Sequence, residues 1–500
     1  MLALHELILY PVLAIILSTL LHGWLSAAAL KPRKRLPPSP NKLPIIGNLH
    51  QLGKFPHRSL QSLSHRYGPL MLLHLGRVPV LVASSAAAAR EITKEQDLIF
   101  SNRPKLSSPD RLIYCSKDVA FAPHGDYWRQ MRSIFVLRLL SNKRVQSYRR
   151  VREEETSLMV EKIRKSAAAA AVVNLSDALE SLTSNVICRV ALGRKYGEER
   201  FFAEFVQLLG ISPVGDYVPW LGWTNWFNGL DARRGRVAKR IDKFLERVVR
   251  EHREMRVEVG DDAAAADMDF VDILLEFQRQ NQGSSPVDDD VIKALILDAF
   301  SAGTDTTSNA LDWTMVELMR NPSAMKRLQN EVREVAARNE GEIGEEDLAK
   351  MSYLKAVIKE NLRLHPPAPL LVPRESTRDT KVLGYDVAAG TRVMINVWMI
   401  GRDPSLWENP KEFRPERFLG TSIDFKGLHF KLLPFGAGRR GCPGIAFATA
   451  VYELALAKLV CGFEFGLPNG GRGEDLDMTE ESGITVRRKF PLLVVITPRV

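Results

Sequence analysis

Residues 288–320 constrain this chain more than any other stretch. Pro286 and Asp288-Asp289-Asp290 make a helix start, with acidic residues set against the positive end of the helix dipole. A helical pattern runs on to Arg320, and Asn321-Pro322 stops it. The span predicts one helix of about 33 residues, roughly 50 Å long. A helix of that length has to serve as a spine through a whole large domain. Its middle reads Ala302-Gly303-Thr304-Asp305-Thr306-Thr307. Glycine and clustered hydroxyls are poor helix-interior choices, the glycine alone costing up to about 1 kcal/mol. Hydroxyls also compete for backbone carbonyls, so a local opening of the helix is expected here. Small Ala302 and Gly303 leave room beside the helix for a flat ligand. Ala302 and Thr306, four apart, share a face.

Far downstream, residues 435–444 read Phe-Gly-Ala-Gly-Arg-Arg-Gly-Cys-Pro-Gly. Glycines let a backbone take up positive φ and approach a flat ligand. Arginines offer planar forks for carboxylates. A thiolate at Cys442, eased by neighbouring N–H groups and Arg440, suits an axial ligand to haem iron, where thiolate donation favours O–O cleavage. Gly-Cys-Pro-Gly alone fits a tight turn around a structural cysteine equally well. The full Phe-x-x-Gly-x-Arg-x-Cys-x-Gly spacing favours the ligand.

Two further patterns accompany this loop. Trp128 and Arg132 are four apart on a helical stretch. Glu360-Asn361-Leu362-Arg363 sets an acid and a base three apart, and Pro415-Glu416-Arg417-Phe418 adds a second arginine. With these motifs the chain resembles a plant-type microsomal cytochrome P-450 over essentially its whole length. The resemblance implies a mainly α fold with small β-sheets, the cytochrome P-450 fold, preceded by one N-terminal transmembrane helix. It implies haem b (iron-protoporphyrin IX) as cofactor, with Cys442 on the iron. Trp128 and Arg132 would reach a propionate, with Arg374 and Arg440 beside them. Ala302, Phe435 and Gly444 would complete the cofactor-binding set. Asp305 and Thr306 would be the catalytic pair, Thr306 hydrogen-bonding the activated oxygen and Asp305 relaying protons. Glu360, Arg363 and Arg417 would form a buried structural network. The substrate lining would come from residues 104–121, 201–211, 295–306, 368–373 and 481–486, including Leu295, Ala299, Leu370, Leu371, Val372 and Ile484.

The implied activity is insertion of one oxygen atom from O2 into a small lipophilic specialised metabolite: a terpenoid, an alkaloid or a phenylpropanoid. A haem-thiolate dehydratase, isomerase or oxidative cyclase is the main alternative, and a non-catalytic haem-binding protein a weaker one. The chain carries no flavin or nicotinamide fingerprint and no iron–sulfur cysteine cluster. Electrons therefore come from outside, by resemblance from an NADPH-dependent diflavin reductase, with cytochrome b5 as a further donor.

Residues 7–30 are mostly apolar, and Lys31, Arg33, Lys34 and Arg35 follow. About 20 residues cross the hydrocarbon core. Positive charge after the apolar run, rather than before it, fits an anchor with the bulk of the chain in the cytosol. The expected division is an anchor over 1–30, a basic, proline-rich hinge over 31–47 and one catalytic domain over 48–500, at the endoplasmic reticulum membrane. The net charge of +10 fits an ordinary solvated excess for a chain of this size, or an acidic membrane surface or electron-donor protein. The basic residues are scattered and form no nucleic-acid module. Cys115, Cys188, Cys442 and Cys461 show neither zinc nor disulfide spacing. Three of them are expected to be ordinary buried residues. Trp220, Trp223, Trp226 and Phe227, near Pro219, fit either a membrane-interface segment or a packed loop.

Overall fold

The computed structural model describes Ser18 and residues 35–168, 172–197, 200–259, 268–281 and 287–499. The anchor expected over residues 1–30 lies outside these but for Ser18. The hinge is described from Arg35 onward.

From Pro38 to Gly47 the chain lies as a strap along a sheet edge. The Leu72 N–H donates to the Pro38 carbonyl at 2.9 Å, and Gly47 bridges to Leu75. Gly47 has φ of +60°, and a Cβ there would stand 2.0 Å from the His74 carbonyl oxygen. Only glycine can therefore bring the strap this close. Helix α1 (Pro56–Tyr67) follows, then strands β1 (Leu70–Leu75) and β2 (Val78–Ala83). They form the antiparallel hairpin that their apolar runs predict, turned at Gly76-Arg77.

Helix α2 (Asp126–Ile134) carries Trp128 and Arg132. Helices α3 (Leu175–Leu192) and α4 (Leu230–Val259) lead to the spine, α5 (Asp289–Arg320). The Asp288 side chain caps α5 by accepting the Val291 N–H at 2.8 Å. Asn321 ends the helix and Pro322 starts the next, so 32 residues stand where about 33 were expected. The expected opening is not found: α5 is continuous through Ala302–Thr307. The Thr306 hydroxyl donates to the Ala302 carbonyl at 2.7 Å and the Ser308 hydroxyl to that of Thr304 at 3.0 Å. A carbonyl has two lone pairs, so these bonds supplement the helix ladder. Gly303 faces α3. A Cβ there would come 3.1 Å from Ile187 Cδ1, so this glycine serves helix–helix approach rather than room for a ligand.

Helix α6 (Ser352–Leu364) ends before His365-Pro366, as proline dictates. Strands β3 (Arg374–Glu375) and β4 (Arg392–Ile395) complete a four-stranded sheet of order β1-β2-β4-β3, with β2 and β4 parallel. Helix α7 (Ile445–Gly462) is long and apolar enough to span a membrane, but half of it is buried here and it packs as a core helix. Strands β5 (Glu480–Glu481) and β6 (Arg487–Arg488) form a short C-terminal hairpin.

Two polar knots tie the helices behind the site. At the Ala310 carbonyl, Asn361 Nδ2 (3.0 Å) and the Tyr452 hydroxyl (3.0 Å) converge, joining α5, α6 and α7. Glu360 is fully buried and takes Arg363 at 2.7 and 2.8 Å and Arg417 at 2.9 Å. The other guanidinium protons of Arg363 go to the carbonyls of Gly401, Pro410 and Glu412. The expected Glu360–Arg363–Arg417 network is thus closed.

Candidate haem-thiolate site

The loop of residues 435–444 folds on its own backbone. The Cys442 N–H donates to the Phe435 carbonyl at 2.9 Å, and the Gly441 N–H to that of Gly438 at 2.9 Å. Gly438 has φ of +68°, and a Cβ there would meet the Thr93 carbonyl oxygen at 2.1 Å. Phe435 packs against Phe425, ring centroids 5.3 Å apart. Gly444 caps α7, and its N–H points at Cys442 Sγ, 3.4 Å away. The sulfur therefore sits at the positive end of a helix. It is accessible, yet surrounded by protein. Burial pushes the thiol pKa up, while the Gly444 N–H and Arg132 oppose the rise. A bound metal cation would make the thiolate the stable form there.

The middle of α5 is the other stretch that breaks from a buried course. This helix is buried from Val291 to Phe300 and again from Asn309 to Leu318. Between these stretches Ser301–Thr306 keeps accessible surface, Ala302 most of all. Cys442 and Ala446 are likewise exposed at the start of α7. Two core elements thus turn small or reactive side chains toward open space. Leu295, expected to line the pocket, is instead fully buried; Ala299 keeps 7% of its surface.

Four arginines flank the site. Arg440 donates to the carbonyls of Ser101, Val119 and Ala122, and its guanidinium lies 4.0 Å over the Trp128 ring. Trp128 Nε1 donates to the Val119 carbonyl at 3.0 Å. In this geometry Trp128 supports Arg440 rather than presenting its own donor. Arg132 Nη2 donates to the Gly441 carbonyl at 2.7 Å, and Arg374 Nη2 to that of Ala437 at 2.7 Å. Arg103 reaches the carbonyls of Ala120, Val372 and Pro373. Burial, together with Arg374, pushes Arg440 down to about 9. Burial, then Arg440 and Arg374, holds Arg103 well below the usual arginine range. Buried cations pressed together call for anions. Asp97 serves Arg374 at 3.4 Å, and His124 Nε2 is buried without a partner. A flat dianion with two carboxylates, bearing a metal for Cys442, fits this donor set.

Asp118 and Asp298 hold the clamp to the spine. Asp298 accepts the Val119 N–H at 2.6 Å and Asp118 the Phe121 N–H at 3.0 Å, and the charge of Asp118 adds to the burial that raises Asp298. Two neighbouring buried carboxyls favour holding one proton between them. Burial pushes Asp118 up to about 6 and Asp298 well above the carboxylate range.

The structure brings Cys442, Phe435, Gly444, Arg440, Trp128, Arg132 and Arg374 into one cluster, with Ala302 and Thr306 on the open face of α5. Asp305 turns aside: Thr485 Oγ1 donates to Asp305 Oδ2, and Arg487 Nη2 stands 4.0 Å from Oδ1. The sequence reading missed Arg103, His124 and the Asp118–Asp298 pair. They lie in a Pro- and Ser-rich loop and an apolar helix stretch, with no spacing that marks them. Cys115, expected buried, is exposed.

A family model described as cytochrome P450 matches residues 37–494. "Cytochrome P450 71A6" of Nepeta racemosa is 63% identical, covering 93% of this chain and 94% of the relative. The (+)-menthofuran synthase of Mentha piperita is 58% identical, covering 99% of both. A zebrafish cytochrome P-450 solved with abiraterone superimposes with a TM-score of 0.74 at 26% identity, covering 89% of this chain and 100% of that one. This chain belongs to the cytochrome P-450 family, as a haem-thiolate monooxygenase with haem b as its cofactor.

Proposed function

We propose that Cys442 is the axial ligand and that this chain oxygenates a small lipophilic specialised metabolite, with a terpenoid as the leading class. The observation that carries the ligand assignment is Cys442 Sγ, at the start of α7 with the Gly444 N–H upon it, beside three buried arginines and the half-buried Arg132. The relative named (+)-menthofuran synthase, 58% identical, favours a terpenoid, while a relative 51% identical, psoralen synthase, is named for a furanocoumarin.

Haem b, when bound, supplies the redox chemistry that splits dioxygen, one oxygen atom going to substrate and the other to water. The residues of the chain do the rest. Arg103, Arg132, Arg374 and Arg440 would hold the propionates, and Trp128 orients Arg440. Phe435 and Gly444 shape the sulfur's surroundings. Ala302, exposed on α5, would leave room for the cofactor. The Thr306 hydroxyl, committed as donor to Ala302, keeps lone pairs free to accept a hydrogen bond on the open face. Asp305 carries protons to it from solvent. Apolar Ala299, Leu370, Leu371, Val372 and Ile484 receive the substrate and exclude water.

Family members draw electrons from a redox partner and consume dioxygen with their substrate. For this chain we assign an NADPH-dependent diflavin reductase, with cytochrome b5 as a second donor. Residues 1–30 anchor it in the endoplasmic reticulum membrane, 31–47 form the hinge and 48–500 the cytosolic catalytic domain. Supporting this orientation, strap, hairpin turn and aromatic segment meet at one corner. The Gly76 N–H donates to the Ile46 carbonyl, the Arg77 N–H to that of Tyr217, and Arg77 lies 4.4 Å over Trp220. Around them Ile45, Trp223, Trp226 and Phe227 are exposed by 60 to 73%.

The test is the carbon monoxide difference spectrum of the reduced protein in membranes, beside Cys442→Ala. A strongly red-shifted Soret band, lost in the variant, is expected. Its absence from folded, haem-loaded protein would remove the ligand assignment. Labelled dioxygen then separates oxygen insertion from dehydration, isomerisation or oxidative cyclisation.

A further inference from the structure

The Asp305 side chain borders the face that carries Ala302 and Thr306 but turns away from Thr306. Successive residues on a helix point about 100° apart, and Asp305 points at the C-terminal β5–β6 hairpin. There the buried Thr485 hydroxyl donates to its Oδ2, and Arg487 Nη2 stands 4.0 Å from its Oδ1. Arg487 also lies 3.7 Å from Glu481 across the hairpin. On the other side, Glu180 of α3 is within electrostatic reach. Burial pushes its carboxyl up, Arg487 opposes the rise and Asp305 adds to it.

The hairpin itself is firmly held. The Val486 carbonyl accepts Asn309 Nδ2 at 2.9 Å and Trp313 Nε1 at 3.3 Å, both from α5. The Val486 N–H donates to the Pro367 carbonyl at 2.9 Å. Glu480 is paired with His57 at 3.0 Å and Arg58 at 2.9 Å. The tip, Gly483-Ile484, presses on Gly210, where a Cβ would come 2.6 Å from the Ile484 nitrogen. So one rigid turn touches two things at once. Ile484 packs against the main core beside Gly210, and the next residue holds the proposed relay acid.

We propose that Thr485 and Arg487 are positioning residues for Asp305, so that the C-terminal hairpin sets the placement of the acid that delivers protons. The proposal rests on the relay role given to Asp305 above. The balance is simple. Asp305 gives a proton inward and regains one from solvent past Glu180, so its own charge is unchanged after a turnover. Electrons come from the reductase. Substrate, dioxygen, two electrons and two protons yield oxygenated product and water. If protons arrive late, the same electrons and protons leave as hydrogen peroxide.

The experiment uses the full haem-loaded chain with reductase in membranes, and limonene as the probe. Thr485→Val, Arg487→Gln, Asp305→Asn and the two double variants with Asp305→Asn are compared. The carbon monoxide spectrum reports intact haem ligation. NADPH oxidation, peroxide release and the solvent deuterium isotope effect on NADPH oxidation are read. Asp305→Asn is expected to slow oxidation about a hundredfold, the scale of a lost general acid. Thr485→Val and Arg487→Gln should each slow it about tenfold, as misplacement of a catalytic group does. They should raise the isotope effect and the peroxide fraction with the carbon monoxide band unchanged. In the Asp305→Asn background both should add nothing. If Asp305→Asn is impaired while Thr485→Val and Arg487→Gln match the parent, or if their effects persist undiminished without Asp305, the positioning proposal falls and the relay stands. If Asp305→Asn itself matches the parent, the relay reading falls with it.

Discussion

Asp298 shows what one buried proton does for this molecule. It is buried near Asp118, whose charge adds to the burial that raises it, and Asp118 Oδ1 has no hydrogen-bond donor. Burial raises both carboxyls in the folded protein, so the native state binds a proton that the unfolded chain releases near pH 4. Stability therefore falls as pH rises above that value, through about 6 for Asp118 and beyond for Asp298. Asp298→Asn replaces the shared proton with a permanent N–H donor while keeping an oxygen for the Val119 N–H. Its melting temperature is expected to exceed the parent's at pH 8, with the gap closing toward pH 4. An equal gap at both pH values would mean that no proton is shared. Neither aspartate could be read from the sequence as a pair, because 180 positions separate them and neither has a motif of its own. Cys442 could, because its chemistry needs a fixed local spacing.

At the scale of elements, contacts between neighbours in sequence were legible and convergence between distant segments was not. The spine, its Asp288 cap and its stop at Asn321-Pro322 follow from dipole, capping and proline rules acting within a few residues. The β1–β2 hairpin follows from two apolar runs. What period and propensity could not show is how side chains divide between neighbours: that Gly303 faces Ile187 of α3, or that Asp305 faces a hairpin 180 positions away. Nor does local competition by hydroxyls break α5, since packing on α3 and the knot at Ala310 hold it straight. The Glu360 network carries the sharpest prediction here. Glu360→Gln leaves Arg363 buried with its charge uncompensated, at a cost of about 3–5 kcal/mol. Haem-loaded protein should fall steeply in yield, and the survivors should unfold at lower denaturant with normal carbon monoxide spectra. Survivors with parental stability and a shifted spectrum would place this network at the haem rather than in the scaffold.

As a whole, the molecule exposes Ile45, Trp220, Trp223, Trp226 and Phe227 at one corner, where strap, hairpin turn and aromatic segment meet. Indole rings favour the membrane–water interface. In vesicles containing brominated lipid, tryptophan emission of the full chain should be quenched. Replacing Trp223 and Trp226 with phenylalanine should remove more of the quenched component than replacing Trp24. Equal quenching in that double variant would turn this corner away from the bilayer. The arginine clamp has a consequence for biosynthesis. Arg103, Arg132, Arg374 and Arg440 come from stretches spread over more than three hundred residues, and bringing them together concentrates positive charge that Asp97 and Asp118 offset only in part. Binding of a dianionic porphyrin should therefore stabilise the assembled fold. A cell short of haem should hold less of this protein, cleared by its quality control, rather than a reserve of colourless enzyme awaiting its pigment.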